Sequence, residues 1–153
     1  MRVGIESNQV GDGAAAVEAF GRAVELAGLD PSRPDELAYA TWHLGDACFH
    51  SPGLCPAGES ERETQASYDL FADRYGPEHP VVIPILLRLA ALHARRGDAA
   101  GASALVEESD EITARSFPAS HFMRAYIGSY RPASSLHPQE MLEILSEMDS
   151  LGG

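Results

Sequence analysis

Along the whole chain, clusters of Gly, Pro, Asp and Ser interrupt longer segments in which apolar residues return every three or four positions, while strand-like alternation is scarce. A chain patterned this way has no sheet to cover its helices, so helix must pack on helix. The sequence therefore predicts an all-α fold, an antiparallel helix-hairpin stack of about seven to eight helices with short links.

The punctuation sets the expected elements. A short helix is expected near residues 1–9, with Gly11-Asp12-Gly13 as a turn. A helix over 14–28 follows, with Val17, Phe20, Val24 and Leu26 as its apolar stripe and Gly28 as its stop. Leu29 to Glu36 reads as a loop in which Ser32 is placed to cap a helix and Pro34 takes its first position. Helices are then expected over 35–50, carrying Leu37, Tyr39, Trp42, Leu44 and Phe49, and over 59–75 after a Pro/Gly loop. Residues 76–80 form a sharp turn. The segment 81–96 is apolar on nearly all faces and reads as the most buried helix, its regular part starting close to Pro84. Arg95 to Asp98 turns the chain into an Ala-rich helix over 99–116. Helices near 119–129 and 138–150 complete the series. The last carries Met141, Leu142, Ile144, Leu145 and Met148 and reads as a lid.

Composition excludes several classes of function. Hydrophobic residues make up 44% and charged residues 22%, which argues against a wholly disordered chain. A formal net charge of -12 repels polyanions, so neither nucleic acid nor an anionic membrane is an expected partner; a basic peptide or basic patch on a protein is. The start of the chain has one Arg and no apolar run, and no stretch approaches the roughly 18 apolar residues that span a bilayer. Two cysteines, Cys48 and Cys55, fit a reducing cytoplasm. High Ala, Gly and Arg content points to a GC-rich bacterial genome.

Three segments share one layout: an apolar-small pair, a Gly-containing turn, then a helix with small residues where it crosses the first. These are Val3-Gly4, Gly11 to Gly13, then Ala16, Phe20 and Ala23; Leu44-Gly45 with Pro52-Gly53; and Leu89-Ala90, His93, Gly97-Asp98, then Ala102 and Val106. Together with Tyr75-Gly76-Pro77-Glu78-His79-Pro80 leading to Leu89-Ala90 and Arg96-Gly97, this layout resembles the tetratricopeptide repeat family, in particular the longer repeat of kinesin light chains and many bacterial multi-repeat proteins. The resemblance covers residues 1–116 and is strongest over 65–112. It implies one domain over 1–153, with a partial first repeat at 1–30, a second at 31–76, a third at 77–116 and capping helices at 117–153.

Stacked helix pairs rotate from one to the next and leave a concave groove. In this family the groove takes up a peptide or a partner's helix. The resemblance places Tyr39, Trp42, His43, Asp46, Phe49 and His50 along it in the second pair, and Leu87, Arg88, Ala91 and Arg95 in the third. Trp42 and Arg88 are of the residue types that anchor binding, and His93 occupies a position at which the family usually packs an aromatic side chain. The expected function is a protein- or peptide-binding scaffold or adaptor without catalytic residues, cofactor or metal, with self-association through exposed end helices as a further route to partners. Two rivals follow from the same letters. One is a regulatory or sensor fragment of a larger bacterial protein. The other is a helical metal-dependent hydrolase built on Cys48, His50 and Cys55, with His43 one turn upstream, since Cys and His are zinc ligands. The acidic run Glu107, Glu108, Asp110 and Glu111 reads as a solvated helix face.

Overall fold

The computed structural model of this chain describes residues 2–129 and 136–152, with side chains described over 12–127 and 136–151. Every regular element among them is helical. Seven α-helices follow in order: α1 Arg2–Gly28, α2 Pro34–His50, α3 Glu59–Tyr75, α4 Ile83–Arg95, α5 Ala99–Ser116, α6 Phe122–Ser129 and α7 Pro138–Gly152. Short 3-10 turns stand at Pro52–Leu54 and Pro80–Val82. Where the sequence reads as one domain, the chain groups into two compact units, Met1–Leu70 and Phe71–Gly153, with α3 continuing through the boundary.

In the first unit, α1 corrects the sequence reading. It is one helix of 27 residues, running straight through the expected Gly11-Asp12-Gly13 turn. Glycine inside a helix costs about 1 kcal/mol relative to Ala, and with no Pro in the stretch this cost does not break the helix. α1 packs along α2 as an antiparallel hairpin. Its stripe of Ala16, Val17, Phe20, Ala23, Val24 and Ala27 is only half-buried, and Leu26, expected on that stripe, is 68% exposed. The expected crossing at Val3-Gly4 lies outside the described side chains.

The start of α2 is set by Pro34, whose fixed φ suits the first turn and whose missing N–H is not needed there. Ser32 does not cap it: Arg33 holds the cap position without a side-chain bond, and the Ser32 hydroxyl donates instead to Asp30. Along α2, residues Ala38, Thr41, Trp42, Gly45, Cys48 and Phe49 are buried, a stripe with helical spacing. Gly45 lets α3 approach: a Cβ there would stand 2.8 Å from Thr64 Oγ1 and 3.2 Å from the Thr64 backbone nitrogen. Ser60 Oγ donates to the Gly45 carbonyl at 2.9 Å in the same crossing.

The second unit is organised around α4. Every residue from Val81 to Ala91 is buried, as apolar side chains on nearly all faces predict, and Arg88 is buried with them. Pro84 falls in the first turn, so its missing donor breaks no helical bond. α4 and α5 form a hairpin, and α7 rests on α4 and on Pro80–Val82. Phe71, Ile112, Phe117, Met123, Ile127, Leu136 and Met141 are buried with it. Gly76 and Gly97 adopt positive φ at the ends of α3 and α4, a conformation that favours glycine.

His93 departs from its expected core role. It is half-buried, and its Nδ1 lies 2.8 Å from an Asp98 carboxylate oxygen. Asp98 in turn accepts the Gly101 N–H at 2.9 Å and so caps α5. That N–H, then His93, hold the Asp98 carboxyl below its usual pKa.

Candidate partner-binding site

The groove residues expected on α2 divide between two faces of the helix. Tyr39, His43, Asp46 and His50 recur at helical spacing and share one face, where the first three are half-buried and His50 is exposed. His50 Nε2 lies 3.3 Å from Asp46 Oδ1. Trp42 and Phe49 stand one position off this row, on the core stripe: Trp42 has no exposure and Phe49 has 8%. The placement of these two in the groove is therefore corrected, because a closed side chain cannot line an open surface. On α4, Leu87 at 1%, Arg88 at 2% and Ala91 at 6% exposure are likewise interior, and only Arg95, in the last turn, reaches solvent. Arg88 is thus a structural cation of the second unit and not a surface anchor.

The face that carries Tyr39 and His43 opens on a cleft of about 540 Å³ between α1 and α2. From α1 come Phe20, Ala23, Leu26 and Ala27; from α2 come Glu36, Tyr39, Ala40 and His43. Asp30 and Arg33, in the connecting turn, border it. The His43 ring stacks on Phe20 with centroids 5.0 Å apart and planes 18° from parallel, joining the two walls at the cleft floor. Arg33 pairs with Glu36 at 3.0 Å on the exposed rim. Leu26, on the α1 wall, is 68% exposed, and Leu29, just past the end of α1, is 80% exposed.

The residues that sequence reasoning missed are those of α1, the turn residues Asp30 and Arg33, and Glu36 and Ala40 of α2. The signal for α1 was present: apolar residues continue to Leu26 and Leu29, past what one facing helix covers. Among the described residues, a second hollow is lined by Gly58, Glu61, Arg62, Gln65, Ala66 and Asp69, all on α3 or just before it.

Cys48 and Cys55 are joined in a disulfide, with Cα atoms 5.7 Å apart. The bond corrects the expectation of two separate thiols and removes both thiolates from the rival zinc site. His50, the third member of that rival, faces Asp46 instead. No helix among the described residues is long and apolar enough to cross a membrane. No protein-family model matches this chain, and neither the curated proteins nor the solved structures yield a match.

Proposed function

We propose that this chain is a protein- or peptide-binding scaffold or adaptor rather than an enzyme, and that the α1–α2 cleft receives apolar side chains of a basic segment. The supporting observation is the cleft itself: two helix walls of Phe20, Ala23, Ala27, Tyr39 and Ala40, with Leu26 exposed on one of them. Exposed apolar surface continuous with a concave site is characteristic of recognition surfaces. A formal net charge of -12 favours a cationic guest and speeds its encounter. The helix-hairpin organisation and the tetratricopeptide-like motifs agree with a recognition role. Docking in the cleft uses Tyr39 and His43 of the residues expected from sequence, joined by the α1 wall.

The test is titration of the chain with basic, leucine-containing peptides and with acidic counterparts of the same apolar content. Basic peptides bind and shift the resonances of Ala23, Ala27 and Tyr39. Tyr39→Ala weakens them about 30-fold, the effect of losing an anchor worth about 2 kcal/mol. Ala23→Trp, which fills the cleft, abolishes binding. Undiminished binding by a folded Ala23→Trp chain refutes the cleft as the docking place.

A further inference from the structure

The α1–α2 hairpin is closed at one end by its own connecting turn. At the other end, α1 is met by the segment that follows α2. A Cβ on Gly13 would stand 3.0 Å from Ser51 Oγ and 3.4 Å from Leu54 Cδ1, so the segment lies directly on α1. Short backbone bonds shape it: Ser51 N–H donates to the Ala47 carbonyl at 3.0 Å, Leu54 N–H to Ser51 at 3.0 Å and Cys55 N–H to Pro52 at 3.4 Å. Its far end is fixed to α2 by the Cys48–Cys55 bond.

We propose that Cys48–Cys55 is a reversible dithiol–disulfide site, acted on by reductants of the dithiol class, whose oxidised form clamps Leu54 onto Gly13 and locks the open end of the hairpin. Three observations carry this. First, the bond spans only seven positions, and a disulfide across so short a loop constrains the local segment far more than the chain as a whole. Second, residues 51–58 contribute nothing to the buried core, so releasing them leaves Trp42, Leu44 and Phe49 packed. Third, the two cysteines are unequal: Cys48 is 1% exposed, whereas Cys55 is half-buried in an otherwise exposed loop, so an incoming thiolate meets the pair at Cys55.

A thiolate of the reductant attacks Cys55 Sγ, the S–S bond breaks, and Cys48 leaves with the electron pair and takes up a proton. The second thiol of the reductant then attacks the mixed disulfide and releases Cys55, which is protonated in turn. Two electrons and two protons pass to the pair, and the dithiol becomes a disulfide. Without the bond, the loop is held on α1 by its backbone hydrogen bonds and the Leu54 side chain's own contact.

Dithiothreitol added to the full chain in native buffer, with thiols counted by maleimide labelling and amide exchange followed by mass spectrometry, tests the proposal. Two thiols appear without denaturant, helicity is retained, and exchange over residues 13–20 and 51–55 rises about tenfold; oxidised glutathione reverses both changes. Thiols that appear only in urea, exchange that stays constant in α1, or loss of helicity on reduction each overturn it. Leu54→Gly, which keeps the bond, guards against a double cysteine variant that fails to fold. In that variant exchange in α1 is already raised and no longer responds to dithiothreitol. A persisting response there also overturns the clamp.

Discussion

Replacing Gly45 and Gly21 by Ala sets one chemical change in two surroundings and predicts opposite outcomes. Ala is favoured over Gly in a helix interior by about 0.8–1.0 kcal/mol. At Gly21, in α1, nothing lies within 4 Å of the new Cβ, so the full gain is realised. At Gly45 the Cβ would stand 2.8 Å from Thr64 Oγ1 and 3.2 Å from the Thr64 nitrogen. Thr64 has no exposure and a stiff β-branched side chain, and its backbone nitrogen cannot swing aside. The Ser60 bond to the Gly45 carbonyl further fixes the crossing. Overpacking of this kind costs about 1–3 kcal/mol. Set against the propensity gain, Gly45→Ala loses about 1 kcal/mol net, and the two variants differ by about 2 kcal/mol. Urea unfolding followed by fluorescence reads this directly, because the chain has a single Trp, and Trp42 is buried on the same helix as Gly45. Thr64→Ala in the Gly45→Ala background makes room and recovers most of the loss, a non-additivity that a double-mutant cycle measures. If Gly45→Ala raises the urea midpoint as much as Gly21→Ala, the close approach of α2 and α3 is not the constraint argued above.

Two pH-linked outcomes are expected in the second unit. Asp98→Ala removes the acceptor of the Gly101 N–H and the carboxylate beside the His93 ring, so amide exchange rises over residues 99–102. The Asp98 carboxyl is held below its ordinary 3.8, so its stabilising contribution is complete above that value and is lost as pH falls through the lower folded value; variant and parent unfolding curves therefore converge in acid. His79 accepts the Val81 N–H through Nδ1 at 3.1 Å and must be neutral to do so, while burial pushes its pKa below 6.5. Protonation of the unfolded state thus precedes that of the folded state, and stability declines as pH drops from about 6.5 toward the folded value. A ring-proton titration placing the His79 midpoint at or above 6.5 refutes this.

Much of the helical order was legible because local chemistry marks it. Gly76 and Gly97 end α3 and α4 where positive φ is needed, Pro34 opens α2, and Asp98 starts α5. The long α1 was not, since Gly11-Asp12-Gly13 has the letters of a turn and only packing decides whether the helix continues. Assigning Trp42 and His43 to a single face failed for a simple reason. Adjacent residues on a helix are about 100° apart, and the periodicity of α2 fits either row until a neighbour covers one. The disulfide was hidden because its partners meet only after Pro52 and Gly53 fold the chain back. The cleft needed the pairing of α1 with α2, which no single segment encodes.

Within residues 12–28, α1 has no side chain that is wholly enclosed; every apolar group on its inner flank keeps some contact with water. With no enclosed anchor over these residues, this stretch of α1 belongs to the lower-stability part of the first unit. Any molecule seated along it would therefore act as a folding ligand. At a concentration one hundred times its Kd, a guest that binds only the docked helix would deepen that well by about 2.7 kcal/mol. Heat resistance would then report occupancy, with the melting temperature climbing as guest is added.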